Sequence, residues 1–398
     1  MGLFSKLFGG GKAQQNDEAK DEAKAAAEAE EAKADPAAER AELAADLDSS
    51  NGAARVDAGR ALLDRWRAGD NDAAEVMVAR LPALFEDSEP QVRMIALACV
   101  RQFRKRENLE KHTSATLALL ADPVSQVRTS AVWAVARLPG DVARAQLRAV
   151  LGHQEEAMRF AAAVALADLK DPSCLKELTT AIGEQHRRHE ALSALMALGD
   201  ASAAPAVKEQ FDDERIGDLD RTACAAALVR LGDASGKPYL LERLASAYGD
   251  DRPNAVEWAG LLGVTEAIDA LTQISDDPDD LCNGAALKAL ARLKAPGIEA
   301  RLLAIAQDPK QPDLRLDAAE GLAELGTPEC RAALETLAKS DDEELAETAR
   351  ESLHELAVAD AIKKAEADAL AAADSARADA AKPDAASSAT AGPPPSST

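Results

Sequence analysis

DPVSQVRTSAVWAVARLPG, residues 122–140, reads as one amphipathic helix bounded by two prolines. Counting back from Leu138, an aliphatic residue stands at −3 (Val135), a small one at −7 (Ala131) and an arginine at −10 (Arg128). Offsets of three and four share a helix face, so Leu138, Val135 and Ala131 form one packing stripe. The small residue admits a neighbouring helix at close range. QPDLRLDAAEGLAELGT, residues 311–327, repeats the rule with Leu325, Leu322, Ala318 and Arg315.

Working outward, closing residues of the same kind fall at Phe103, Leu138, Leu169, Leu198, Leu231, Leu262, Leu293, Leu325 and Leu356. From Leu138 onward the steps are 31, 29, 33, 31, 31, 32 and 31 residues. The −7 position holds Ala96, Ala131, Ala162, Ala191, Cys224, Ala255, Ala286, Ala318 and Ala349. The −10 position holds Arg93, Arg128, Arg159, Arg188, Arg221, Arg252 and Arg315, with Asn283 and Ala346 as exceptions. Gly199, Gly232, Gly263 and Gly326 follow closing residues, where glycine ends a helix in the left-handed conformation. Second amphipathic segments, such as Leu240-Leu241-Leu244, lie between. Each unit is therefore two antiparallel helices in about 31 residues, and stacked units share a core that a lone pair cannot form. The expected fold is an all-α, right-handed α-solenoid of nine to ten two-helix units. Arg55-Ala58-Leu62 marks the weaker tenth. Aromatics make up only 3% of the 398 residues, which agrees with a helical and not a sheet-based core.

These segments resemble HEAT repeats, an armadillo-type fold. They are most similar to the short class found in phycobilin-lyase-type proteins, whose pattern is D-P-x-V-R-x-x-A-x-x-A-L. The resemblance covers about three-quarters of the chain. It implies the superhelix; activity must be argued from a site. It also implies that the helix carrying the arginine lines the concave side. There, offsets −5 and −1 place Trp133, Arg137, Asp168, Arg230, Glu257, Lys288, Arg292, Glu320 and Glu324 as a candidate partner groove. In HEAT-like arrays the −10 arginines are structural, bonding neighbouring loops and the acids of the next unit. Asp87, Asp122 and Asp277 are expected to cap helix starts.

Four segments divide the chain. Residues 1–12 form an amphipathic arm with Leu3, Phe4, Leu7 and Phe8 on one face, a candidate for weak membrane or partner contact. Residues 13–51 read as an acidic, Ala-rich tether, helical or disordered. The repeats occupy 52–357. Residues 358–398 read as a charged helix tapering to a disordered Pro/Ser/Ala tail.

The net charge of −24 repels phosphate backbones, and the basic runs, such as Arg101-Arg104-Lys105-Arg106, are short; nucleic acid is not an expected partner. The five cysteines form no CxxC pair, and no secretory signal is read at the start. A cytoplasmic setting is expected, with peripheral contact at the inner face of a membrane through the arm. His189-Glu190 resembles one His-Glu motif of deoxyhypusine hydroxylase, a di-iron enzyme on HEAT-like repeats. The matching positions in other units, Thr129-Ser130, Phe160-Ala161, Thr222-Ala223 and Pro253-Asn254, supply no further ligands. No catalytic, metal or cofactor site is expected. The function read from the sequence is a non-enzymatic protein-interaction scaffold with protein partners. The alternative is a bilin-lyase-like or metal-dependent enzyme on the same repeats.

Overall fold

The computed structural model describes residues 36–246 and 251–380. The arm residues Leu3, Phe4, Leu7 and Phe8 and the tail beyond 380 lie outside the described residues. No strand occurs among the described residues. Two compact units divide between Ala203 and Ala204. The first holds α1 (Pro36–Asp46), α2 (Gly52–Arg67), α3 (Asn71–Phe85), α4 (Pro90–Gln102), α5 (Arg106–Ala118), α6 (Ser125–Val135), α7 (Gly140–Val150), α8 (Glu156–Asp168), α9 (Leu175–Ala181) and α10 (Arg188–Leu198). The second holds α11 (Ala204–Asp212), α12 (Asp218–Arg230), α13 (Lys237–Ala245), α14 (Arg252–Leu261), α15 (Ile268–Asp276), α16 (Asn283–Arg292), α17 (Ile298–Ala306), α18 (Pro312–Leu325), α19 (Pro328–Leu337) and α20 (Glu343–Ala380).

Every even-numbered helix from α4 onward carries the register, and each odd-numbered helix packs against an even-numbered neighbour. Within each unit, consecutive even helices pack on one another, and the odd helices pack against them. The −7 residues, from Ala96 to Ala349, are all at 0% exposure, so each seats a helix contact where any larger side chain would collide. Helix α1 falls inside the stretch read as a tether. It packs on α2, with Ala44 buried, and Arg40 pairs with Asp70 and Asp72 at 3.2 and 2.7 Å. Its apolar contribution is small, which is why no stripe announces it.

Helix exits follow a shared turn. Gly199, Gly232, Gly263 and Gly326 have positive φ. Lys170 and Lys294 hold the same position, one residue after Leu169 and Leu293, and also adopt positive φ (58° and 52°). The repeat thus imposes the left-handed turn even on residues with a Cβ. The Lys170 ammonium donates to the Ala197 carbonyl at the end of α10.

Two seats on the odd helices escaped the sequence register. Nine residues after the closing residue stand Leu147, Leu178, Val207, Leu240, Leu271, Leu302 and Leu334, all at 0% exposure. Five residues after it stand Ala143, Cys174, Ala203, Gly236, Ala267, Ile298 and Cys330, all buried. Cys174 and Cys330 are therefore small apolar fillers. None of the five cysteines forms a disulfide, and all are buried. Burial pushes the Cys99 thiol up to about 12 and the Cys174 thiol up to about 11, far from the thiolate needed for nucleophilic chemistry.

After Phe103 the leucine seat is filled by His112. Its ring stacks on Phe103 (centroids 5.6 Å apart) beside Phe85 (6.0 Å), and its Nε2 has no hydrogen-bonding partner. Burial, aided by the nearby Lys111 charge, lowers its pKa from 6.5, so the folded state holds it neutral. The unfolded state binds that proton more readily. Stability is therefore full above about pH 6.5 and falls as pH drops below it. His112→Leu, which restores the residue of the other repeats, should stabilise the protein by about 1 kcal/mol at pH 7 and by more at pH 5. Urea midpoints at both pH values check this; an identical pH slope in both proteins over that range would contradict it.

Candidate functional site

The −10 arginines bond outward along each unit. Arg55 and Arg93 form bidentate pairs with Asp87 (2.7 and 2.7 Å) and Asp122 (2.7 and 2.9 Å) of the following repeat. Each also donates to the loop before its own helix, Arg55 to the Ser49 carbonyl and Arg93 to the Asp87 carbonyl. Arg128 reaches Glu155 and the Asp122 carbonyl. Arg159 bonds Glu177 and the His153 and Gln154 carbonyls, and Arg188 the Ile182 carbonyl. In the second unit, Arg221 bonds the Asp213 carbonyl, Arg252 bonds Asp280 at 3.0 and 2.8 Å, and Arg315 bonds Asp342 at 3.2 Å. Burial alone would raise the carboxyl pKa of Asp122. The Arg93 hydrogen bond, the Val124 amide and the Arg93 and Arg128 charges together hold it below the ordinary value. Asp87 and Asp280 are held down in the same way, against their own burial, by Arg55 and Arg252. These arginines are engaged by the fold, although the buried Nε atoms of Arg128 and Arg221 lack a hydrogen-bonding partner.

The partner of Arg252 is Asp280 and not Asp277. Helix α16 begins only at Asn283, and the turn that closes with Asp280 N–H to the Asp277 carbonyl (3.2 Å) moves the cap three residues on. Asp277 caps that exposed turn through the Asp279 amide.

Of the candidate groove residues, five converge. Glu257 on α14, Lys288 and Arg292 on α16, and Glu320 and Glu324 on α18 line one groove of about 630 Å³ in the second unit. Glu351 and Glu355 on α20 complete it. The turn-by-turn spacing on α16 and α18 carries the pairing: Lys288 meets Glu320 at 2.7 Å and Asp317 at 3.0 Å, and Arg292 meets Glu324 at 2.7 Å. Burial would lower the Lys288 ammonium pKa, but the hydrogen bonds to Glu320 and Asp317 hold it above the ordinary lysine value. Both cations are thus satisfied within the wall. Glu257, Glu351 and Glu355 are exposed and, among the described residues, have no ion pair or hydrogen bond through their side chains. Five carboxylates against two cations leave this groove three charges negative.

The remaining candidates lie elsewhere. Arg230 is exposed on α12 and does not line the groove. In the first unit, Trp133 is half-buried on α6, and Asp168 is exposed at the end of α8. Arg137 lines a different groove, with Arg67, Arg101 and Arg104. His189 is exposed at the start of α10, and no group of three His, Cys, Asp or Glu side chains converges to hold a metal among the described residues. Among the described residues no helix is long and apolar enough to cross a membrane.

Stacked two-helix units with a small-residue seat, a loop-bonding arginine and a groove across the even helices define an α-solenoid of HEAT-like repeats. Residues 113–187 and 268–354 match the family model for HEAT repeats, so those two stretches carry HEAT repeats. Solved structures similar to it include human deoxyhypusine hydroxylase in complex with glycerol. That match has 22% identity and a TM-score of 0.27, and it covers 62% of this chain and 96% of that one. Another is the complex of CpcE and CpcF of phycocyanin lyase from Nostoc, with 20% identity and a TM-score of 0.31, covering 61% of this chain and 94% of that one. No curated protein matches the chain.

Proposed function

We propose that the protein is a non-enzymatic interaction scaffold whose second unit takes a cationic segment of a protein partner. The observation that carries this is the set of unpaired, exposed carboxylates Glu257, Glu351 and Glu355 in a groove whose own cations are already neutralised. Their like charges repel, and a lysine- or arginine-bearing segment laid between them relieves the repulsion. Open grooves of this kind suit extended segments more than enclosed small molecules, which bury most of their surface.

The test compares the full chain with a variant carrying Glu257→Lys, Glu351→Lys and Glu355→Lys. A fluorescent Lys/Gly peptide should bind the wild type in low salt and lose at least tenfold in affinity to the variant. Equal binding by both, or capture by the variant of the same cellular proteins as the wild type, would refute the assignment of this groove.

A further inference from the structure

The first unit carries a groove of opposite character. It measures about 480 Å³ and is lined by Arg67, Ala98, Arg101, Gln102, Arg104 and Arg137. Four arginines line it, and no carboxylate does. They come from the ends of three successive even helices, α2, α4 and α6, which pack side by side. Among the described residues, the Arg101, Arg104 and Arg137 side chains make no ion pair or hydrogen bond; Arg67 bonds only the exposed Asp64 at 3.0 Å.

Cations at helix C-termini also satisfy terminal carbonyls and the helix dipole, and that is the structural use to weigh first. Elsewhere in this chain such cations do bond those carbonyls: Lys170 that of Ala197, Arg144 that of Leu169, and Arg331 that of Gly326. The three unpaired arginines of this groove do not. They gather positive charge, in a chain of net charge −24, at a place where the fold makes no use of it.

Size decides what fits. Packed helix axes lie roughly 8–10 Å apart, so three adjacent helix ends span roughly 16–20 Å from the first axis to the third. One phosphate or carboxylate cannot bridge that span. An extended peptide of about six residues can, at roughly 3.3 Å per residue. A long polyanion such as nucleic acid meets the acidic remainder of the chain, whereas a short acidic segment does not. Arginine, with its planar fork, is the side chain suited to bidentate carboxylates. We infer that this groove binds an acidic, Asp/Glu-bearing segment of a protein partner. The inference rests on the scaffold reading, but on a surface separate from the cation-binding groove.

Fluorescence anisotropy on the full chain tests it, using a labelled Glu/Gly decapeptide, a Lys/Gly decapeptide and a labelled single-stranded DNA 12-mer. The Glu/Gly peptide should bind, weaken steeply with salt, and lose at least tenfold in affinity to an Arg101→Glu/Arg137→Glu variant. That variant should melt like the wild type, because both side chains are exposed. The Glu257/Glu351/Glu355 charge-reversal variant should bind the Glu/Gly peptide at least as well as the wild type, so failure of either groove is read separately. Three results would overturn the inference: no salt-sensitive binding, equal binding by the arginine variant, or DNA binding tighter than the peptide and lost in that same variant.

Discussion

Asp122→Ala is expected to cost about 3 kcal/mol of stability, the largest loss from any single carboxylate in the array. Asp122 is 6% exposed and takes both forks of Arg93, itself 8% exposed, while also accepting from the Val124 amide at 2.8 Å. Truncation leaves a buried guanidinium with only the Asp87 and Ser88 carbonyls, and leaves the first amide of the next loop without an acceptor. An orphaned buried charge costs more than the intact pair contributes. Arg93→Met combined with Asp122→Leu should therefore recover most of the loss. Asp342→Ala is the control: its partner Arg315 lies at 3.2 Å, but the Asp342 side chain is 43% exposed, so solvent replaces most of what is removed. Urea unfolding gives the magnitude. Hydrogen exchange gives the location, since protection should fall first in α4 and α6, the helices the pair joins. An Asp122→Ala loss below 0.5 kcal/mol, or one no greater than that of Asp342→Ala, would remove the arginine pair from any part in joining repeats.

The arginine, the alanine at −7 and the exit glycine were legible because identity recurs there at fixed spacing. Each recurs because geometry favours one kind of residue: a long fork to reach two loops, a small side chain between helices, a glycine at a left-handed turn. The odd helices were harder to read. Their five-residue seat accepts Ala, Cys, Gly or Ile, so no letter repeats, and only burial reveals it. The acidic groove was half legible: offsets −5 and −1 found Glu257, Lys288, Arg292, Glu320 and Glu324, but not Glu351 and Glu355, which follow the same spacing on α20. The basic groove was illegible. Arg101 and Arg104 read as a short run, and nothing along the chain shows that Arg67 and Arg137 close around them; that follows only once α2, α4 and α6 are set side by side.

Gly236→Ala should cost about 3 kcal/mol, although alanine fills the equivalent seat at Ala203 and Ala267. A Cβ at Gly236 would stand 2.2 Å from the carbonyl oxygen of Ala225 and 2.9 Å from its carbonyl carbon. Both belong to the backbone of α12, which cannot turn aside as a side chain can. The turn that carries Gly236 is held in place by the Asp233 carboxylate, which accepts from the Ser235 amide at 2.9 Å. Relief therefore requires α13 to move off α12 and to loosen Leu240 and Leu244, both buried beneath it. Gly284→Ala makes the contrast. Its Cβ would meet Asp317 Oδ2 at 1.9 Å, a closer approach on paper, but a carboxylate end can swing away, and only its bond to Lys288 is at stake. Calorimetry should thus place Gly236→Ala well below Gly284→Ala in melting temperature; the reverse order, or a Gly236→Ala protein that melts with the wild type, would show that α13 yields freely. Ala225→Gly should not rescue Gly236→Ala, because the collision is with the Ala225 carbonyl and removing its methyl group leaves that oxygen in place.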